Sequence, residues 1–593
     1  MAETISRLFL NTIKSYPKPD ILLSKEKGSY VSISTEEFGR RVKHLSLGLK
    51  NLGCRSGDKV IILAENSPQW MMADFANLSL GAVTVPIYPT LVPEQIRYII
   101  DDSDAKFVLC SSPTLWQKVE AVKKDLSKVV HFVSFERDAP PGTLSLGELL
   151  AEGRKLDEGN PGDFEKMALA VKPEDIASII YTSGTTGTPK GVMLTHGNFM
   201  SNIKTLASII QFGHPDYVLS FLPLSHVLER MVTLAFLFKG CSIGYAESIE
   251  TVAENLLEVR PQIMVSVPRL FEKLYGKIMD NVLLGSALKR KIFFWAVRVG
   301  TECGRRSLQK KKVSRALRFK KKIAHKLVFS KILEKTGGRV RFFVSGGAPL
   351  SKDIAEFFYA IGLVVLEGYG LTETSPVISV NTFEDIRFGT VGKPIPGLKV
   401  KIAGDGEILV KGPNVMKGYY KKEAETREVF DEDGWFHTGD IGHLDSDGFL
   451  VITDRKKDLI VTAGGKNIAP QLIENLLKRN PYIANAVVVG SGRKFISALI
   501  VPTQEKLEEY AQRNRIAYAE AKDLIGREEI KKFMFDEVER STPNLAPYEK
   551  VKKIILLERD FEIEKEELTP TLKVKRNKVE EKFKGLIDSL YRE

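Results

Sequence analysis

Apolar and polar positions alternate in two rhythms along the first 170 residues. Lys59–Leu63 and Lys106–Cys110 are short apolar runs that predict strands, and between them Trp70–Leu80 carries its apolar residues at helical spacing and stops at Gly81. Such alternation predicts a layered α/β lobe. A second series, Ile176–Tyr181, Ile263–Val267, Val340–Val344 and Leu363–Leu366, again separates strands by helical periodicity and predicts a second α/β lobe. From about 389 to 453 the pattern changes to strand-like runs punctuated by Gly and Asp, such as Gly406–Val410 and Gly448–Thr453, which predicts a small β-rich subdomain. The five consecutive charges of Asp454–Asp458 read as a surface linker, after which mixed α+β patterning resumes. The expected organisation is an N-terminal body over 1–453, a hinge over 454–458 and a smaller C-terminal domain over 459–593.

Composition changes this picture little. A chain of 593 residues exceeds what one core can serve, and 43% apolar with 27% charged residues is ordinary for globular domains. Cys54, Cys110, Cys241 and Cys303 form no CxxC pair, so neither a disulfide framework nor a zinc site is expected, and a reducing cytoplasm is the expected location. The stretch Met1–Lys14 has no basic leader or cleavage pattern, and no export is expected. The apolar window Phe75–Tyr88 is interrupted by Asn77, Ser79, Gly81 and Pro86, so any membrane contact is expected to be peripheral, at the inner face.

Charge changes it more. Between Lys289 and Lys326 there are fifteen Lys or Arg and one acid, Glu302, so this segment's +14 exceeds the +12 of the whole chain. Interleaved with these cations are Ile292–Val297 and then Leu317, Phe319, Ile323, Leu327 and Phe329. The pattern suits either an anionic bilayer surface or a solvated helical face over a core stripe. No nucleic-acid-binding motif accompanies the charge, and nucleic acid is not expected as a partner.

The densest chemical signal is Tyr181-Thr-Ser-Gly-Thr-Thr-Gly-Thr-Pro-Lys-Gly191, a turn following a strand. Its three glycines, Gly184, Gly187 and Gly191, allow close backbone approach. Its five hydroxyls, Thr182, Ser183, Thr185, Thr186 and Thr188, can donate to phosphate oxygens, and Lys190 adds a positive charge. It is not a Walker loop, because Pro189 precedes the lysine and Gly191 follows it. A nucleotide polyphosphate is the ligand this donor set suits.

Further motifs follow in order: Ser345-Gly-Gly-Ala-Pro349, Glu367-Gly-Tyr-Gly-Leu-Thr-Glu-Thr374, Trp435-Phe-His-Thr-Gly-Asp440, Asp454-Arg-Lys-Lys-Asp458, Gly464-Gly-Lys-Asn467 and Leu568-Thr-Pro-Thr-Leu-Lys-Val-Lys-Arg576. With the phosphate loop, they make the chain resemble the adenylate-forming (ANL) superfamily of acyl-CoA synthetases, luciferases and peptide-synthetase adenylation domains. The resemblance implies an acyl-CoA synthetase-like fold with a mobile C-terminal domain. It also implies a two-step reaction, in which a carboxylate attacks the α-phosphate of ATP and a thiol, coenzyme A, then displaces AMP.

Residue roles are carried over from that resemblance. Gly346, Gly347, Ala348, Glu367, Gly368, Tyr369 and Gly370 would line the adenine pocket, with Tyr369 able to stack on the base. Thr372 would contact the α-phosphate, and Glu373 would hold Mg2+. Asp440 and Arg455 would meet the ribose hydroxyls. Lys573 would serve adenylation, with Lys575 and Arg576 as competitors, and Thr182, Glu373 and His226 complete the expected catalytic set. Lys457 would be the hinge, and Gly464, Gly465 and Lys466 would serve thioester formation.

The segment Pro223-Leu-Ser-His-Val-Leu-Glu-Arg230 and the basic insert resemble the long-chain acyl-CoA synthetase branch, which implies a fatty acid substrate. No Trp follows His226, so the tryptophan gate of some bacterial relatives does not carry over, and the absence of Asp here argues against an amino acid. The alternatives are a fatty acyl-AMP ligase loading a carrier protein, a CoA ligase for a shorter or aromatic acid, and a non-catalytic membrane-associated protein with the same fold. A homodimer is the candidate assembly.

Overall fold

The computed structural model describes residues 3–182, 188–562, 565–569 and 574–591. The chain divides into two compact units. The first comprises Met1–Lys401, Leu409–His437 and Leu444–Leu450, and the second Ile402–Ile408, Thr438–His443 and Val451–Glu593.

Two large sheets organise the first unit. One has eight strands in the order Gly418–Tyr419, Lys190–Thr195, Ile176–Thr182, Val83–Ile87, Lys59–Leu63, Ala105–Cys110, His131–Ser134 and Leu144–Ser145. From Ile176–Thr182 onward the pairing is parallel, and Lys190–Thr195 folds back antiparallel with Thr182 opposite Lys190. Strands such as Val83–Ile87, buried throughout, show the continuous apolar runs expected of a sheet covered on both faces. The helix Pro68–Ser79 starts where Ser67 Oγ accepts from Trp70 N–H at 3.2 Å, and ends before Gly81.

The other sheet has nine strands. Its parallel centre runs Val364–Gly370, Phe342–Ser345, Ile263–Ser266, Tyr217–Ser220, Ser242–Tyr245 and Leu22–Glu26, with antiparallel strands at both edges. The lobes are therefore not consecutive blocks of sequence. Leu22–Glu26 and Ser29–Ile33, from the first series, pair into the second sheet, whereas Ile176–Thr182 joins the first sheet. Pairing partners are selected by burial of apolar faces, so chain order alone misplaces both segments.

One fully buried ion pair crosses between these layers. Arg230, on the helix Val227–Phe238, donates to both carboxylate oxygens of Asp74 at 2.8 and 2.6 Å, and both side chains are 0% exposed. Its remaining Nη1 donates to Ser178 Oγ at 2.6 Å, and that hydroxyl donates to Thr84 O at 2.6 Å. Trp70 and Phe199 face the guanidinium at 5.8 and 5.3 Å.

The second unit contains a three-stranded sheet, Ile483–Val489, Ser497–Pro502 and Ile554–Leu556, with its own apolar core. Asp454, first of the run read as a surface linker, is the last residue but one of the strand Leu450–Arg455 and is 1% exposed, accepting from Gln471 N–H at 3.2 Å. In the basic segment, Phe293 and Ala296 are buried on the helix Ala287–Leu308, but Phe294, Phe319, Ile323 and Leu327 face solvent. The core-stripe reading thus holds for one side of this segment and fails for the other. Among the described residues no helix is long and apolar enough to cross a membrane.

Removing one partner of the buried pair leaves an uncompensated charge. Arg230→Met is expected to cost about 3–5 kcal/mol, with much of the loss recovered in the double replacement Asp74→Leu/Arg230→Met. Urea unfolding followed by tryptophan fluorescence tests this; a double variant as unstable as the sum of the singles would contradict it.

Candidate active site

The phosphate turn is the connection of a β-hairpin. Residues Ser183, Gly184, Thr185, Thr186 and Gly187 lie outside the described residues, but both of its ends are held. Thr182 pairs with Lys190 across the hairpin, and Tyr98 Oη donates to Pro189 O at 3.1 Å. Gly191 is required here because a Cβ would lie 2.7 Å from Ile179 Cγ2 and 3.1 Å from the Tyr181 ring. Tyr181 Oη in turn donates to Asp102 at 2.5 Å, which fixes the strand leading into the turn.

Glu373 reaches the same place from the other sheet. It lies on the single helical turn Thr372–Thr374, after the strand Val364–Gly370. Its Oε1 accepts from Tyr419 Oη at 2.9 Å, and the Tyr419 ring lies 5.2 Å below Lys190 Nζ. Tyr419 is positioned because Gly418–Tyr419 pairs with Met193 and Val192 on the hairpin. Sequence reading missed this tyrosine; no motif marks it, and only the short strand pairing brings it between the loop lysine and the carboxylate. Among the described residues no three His, Cys, Asp or Glu form a metal cage. One hard carboxylate beside a phosphate turn fits a magnesium ion that takes most of its ligands from phosphate and water.

The turns expected around a base lie at adjacent ends of parallel strands, Ser345 being in register with Glu367. Gly346 N–H donates to Ser266 O at 3.1 Å, and Gly347 and Ala348 follow on the exposed turn. A Cβ on Gly346 would lie 3.0 Å from Leu228 Cδ2 and 3.8 Å from Gly368 O, so the helix that follows His226 meets both turns. Gly368 and Tyr369 pair with Val380 and Ser379, and a β-bulge separates Tyr369 from Gly370. At Gly370 a Cβ would lie 1.7 Å from Pro376 O, a position only glycine can occupy. Burial pushes the Glu367 carboxyl up to about 8, only partly opposed by a backbone hydrogen bond from Leu350, so it is a neutral acid at pH 7.

His226 caps the helix Val227–Phe238, its Nδ1 accepting from Leu228 N–H at 3.1 Å, with the Tyr88 ring 6.5 Å away. Asn66 holds the approach to it, donating to Leu222 O at 2.6 Å and accepting from Leu224 N–H at 2.8 Å. Behind it, Glu229 is buried, and desolvation pushes its carboxyl up to about 8.

Within the second unit, Asp440 is 3% exposed and Arg455 Nε lies 3.2 Å from its Oδ1, so the two expected ribose residues adjoin. Lys456 pairs with Asp405 and Glu407 at 2.6 and 2.8 Å, and Lys457 is exposed. Gly464, Gly465 and Lys466 form an exposed turn joining Ile460–Val461 to Asn467–Ile468, closed by Thr462 N–H donating to Lys466 O at 3.0 Å. Lys573 lies outside the described residues. Its competitor Arg576 is committed elsewhere, donating to Glu474 at 2.6 Å with an almost fully buried side chain.

Parallel strand ends of two sheets carrying a hydroxyl-rich phosphate hairpin, a carboxylate and glycine-lined turns define the adenylate-forming class of fold. The AMP-binding enzyme model matches residues 11–420, and the AMP-binding enzyme C-terminal domain model matches residues 457–593. The chain belongs to this family. It is 37% identical over 574 residues to the long-chain-fatty-acid CoA ligase FadD15 of Mycobacterium tuberculosis, covering 95% of this chain and 93% of that protein. It is 33% identical over 626 residues to the peroxisomal long chain acyl-CoA synthetase 7 of Arabidopsis thaliana, covering 100% and 86%. Among solved structures, ATP-bound MatB from Rhodopseudomonas palustris superposes with a TM-score of 0.71 at 24% identity, over 98% of this chain and 99% of that one. The anthranilate CoA ligase AuaEII with anthranoyl-AMP gives 0.73 at 18%, over 98% and 97%. Both structural likenesses speak for the fold.

Tyr419→Phe keeps the ring under Lys190 and deletes the donor to Glu373. It should lower acid-dependent pyrophosphate exchange about tenfold while costing only about 1 kcal/mol of stability; unchanged exchange would remove Tyr419 from the site. Glu229 gives a pH test. Its folded carboxyl titrates near 8 and an unfolded one near 4.3, so its contribution to stability is complete below about pH 4 and is lost as pH rises through 8. Glu229→Gln should therefore gain on wild type by more than about 1 kcal/mol between pH 5 and 8, read from urea midpoints.

Proposed function

We propose that this protein is an AMP-forming ligase that converts a long-chain fatty acid to its acyl-CoA, consuming ATP and coenzyme A and releasing AMP and pyrophosphate. What chiefly supports this reading is near full-length similarity to curated long-chain fatty acid ligases, in a chain that brings Lys190, Tyr419 and Glu373 together.

In this reading Thr182, the loop Ser183–Gly187 and Lys190 hold the ATP phosphates. Gly346–Ala348 and Glu367–Gly370 bound the adenine, and Asp440 with Arg455 holds the ribose. A bound magnesium ion would neutralise phosphate charge, and Glu373 would be its protein ligand. His226 lies beside the acyl carboxylate. Thr372 and Lys573 stabilise the charge that gathers at the α-phosphate as the carboxylate oxygen bonds to phosphorus and pyrophosphate leaves; preorganised donors of this kind are worth roughly 10²–10³ in rate each. The Glu373 carboxylate is kept oriented by Tyr419, which spares it a reorganisation during the reaction. The hinge lies within 454–458, and rotation about Lys457 exchanges Lys573 for the Gly464–Lys466 turn between the two steps. The exposed, cationic face of 289–326 rests on an anionic membrane, where a long-chain acid is concentrated.

An acid panel from acetate to oleate, assayed for AMP release with and without coenzyme A, tests the activity. Strong coenzyme A-dependent release with long-chain acids is expected. Release confined to short or aromatic acids, or dependent on a carrier protein, would replace the reading. Lys457→Pro should impair thioester formation and spare pyrophosphate exchange; equal loss of both would count against the hinge.

A further inference from the structure

Gly439, the residue before Asp440, has its backbone in the left-handed region at φ 70°. Nothing lies within 4 Å of where its Cβ would be, so it is this φ, and not crowding, that calls for glycine. Glycine is the least restrained link in a chain, and an aspartate that follows it is poorly fixed unless the peptide groups around it are held. Here they are held on each side. Gly439 N–H donates to Glu407 Oε1 at 2.9 Å, and Gly439 O accepts from Lys456 N–H at 2.8 Å. Lys456 Nζ closes the ring on the other oxygen of the same carboxylate, donating to Glu407 Oε2 at 2.8 Å. One residue earlier, Thr438 Oγ1 donates to Ile408 O at 2.7 Å and accepts from Asp440 N–H at 3.1 Å.

Stability alone gives little reason for this ring. Glu407 is 4% exposed and opens the strand Glu407–Lys411, whose next three residues are buried and apolar. A buried ion pair can often be replaced by well-packed apolar side chains without loss, because desolvation cancels most of the attraction. The second partner of Lys456, Asp405 at 2.6 Å, is about half exposed, and a pair of that kind adds little. What the ring does supply is position. It fixes both the donor and the acceptor of Gly439, and the neighbouring Arg455 places its Nε 3.2 Å from Asp440 Oδ1. The dipeptide Arg455–Lys456 thus meets the Asp440 side chain with its first residue and the support of that side chain with its second.

We propose that Glu407 and Lys456 are positioning residues for nucleotide recognition, holding Gly439 so that the Asp440 carboxylate is set for the ribose hydroxyls before ATP arrives. The proposal rests on the reading of Asp440 and Arg455 as the ribose site and adds what keeps that site in place. Neither Glu407 nor Lys456 touches the nucleotide; both act through Asp440. Preorganisation of this kind spares the ligand the ordering of a loose backbone and is felt as affinity and discrimination.

Acid-dependent pyrophosphate exchange by the full chain, compared between ATP and 2′,3′-dideoxy-ATP, tests it. Wild type is expected to prefer ATP in kcat/KM by roughly 10–100-fold, the worth of hydrogen bonds to a charged group. Glu407→Gln and Lys456→Met should each shrink this preference to less than about threefold, through a raised KM for ATP with kcat little changed. Lys456→Arg, which keeps a cationic donor to Glu407, should retain it. A merely structural role would lower exchange with both nucleotides equally, so a full preference in Glu407→Gln and Lys456→Met overturns the proposal. Lys456 is half-exposed, and its variant carries the test even where Glu407→Gln fails to fold. Asp440→Ala separates the two readings. If it abolishes the preference while Glu407→Gln and Lys456→Met keep it, only the positioning role falls. If Asp440→Ala leaves the preference intact, the ribose assignment falls and the positioning role falls with it.

Discussion

The guanidinium of Arg230 is the constraint on which the first unit depends. Burying an arginine and an aspartate removes two charges from water, a loss of several kcal/mol per ion that only close, multiple hydrogen bonds offset. Here the carboxylate of Asp74 meets the arginine with two oxygens and Ser178 receives a third bond. The pair joins the helix Pro68–Ser79, the helix Val227–Phe238 and the strand Ile176–Thr182. His226 lies one helical turn before Arg230, and Thr182 lies four residues along the strand from Ser178. His226 and the start of the hairpin turn are thus fixed from a single buried point. His196, buried nearby, has its imidazole held down to about 3 by desolvation and by the arginine's charge, so it remains neutral and adds no competing cation.

Above that point, the site gathers where parallel strands end. Strand ends supply backbone that can approach a flat base, and the hairpin Ile176–Thr195 supplies hydroxyls and a lysine. The short pair Gly418–Tyr419 completes the junction by placing one phenol between cation and carboxylate. The cost of this arrangement is visible in the glycines: at Gly191 and Gly370 a single added carbon would collide with fixed neighbours.

Motif residues close in sequence or in regular pairing were legible before any coordinates. Lys59–Leu63 is the strand that its apolar run predicts, and Ile176–Tyr181 falls one residue short of its observed end. The hydroxyl- and glycine-rich turn is readable in residue type, whereas Glu373, Asp440 and Arg455 were singled out by the resemblance to the adenylate-forming superfamily; the structure adds that Asp440 and Arg455 adjoin. Tyr419 and the Asp74–Arg230 pair were not legible, because a lone tyrosine, aspartate or arginine has no periodicity to reveal its partner. The basic segment was legible as charge and remained ambiguous as a surface, since apolar residues interleaved with lysines fit a core stripe and a membrane stripe equally well.

The sequence by itself determined the chemistry on offer: hydroxyls, glycines and a lysine in one turn, a carboxylate in another, an α/β alternation, and a cationic insert. These are local properties, set by residue type and by spacing along the chain. Only the tertiary structure decided which sheet receives Leu22–Ile33 and which receives Ile176–Thr182, which tyrosine orients Glu373, that Arg576 is occupied by Glu474, and that Phe319, Ile323 and Leu327 face outward. Each of those outcomes depends on competition among distant segments for burial and for hydrogen-bond partners, and that competition is resolved only when the whole chain has packed.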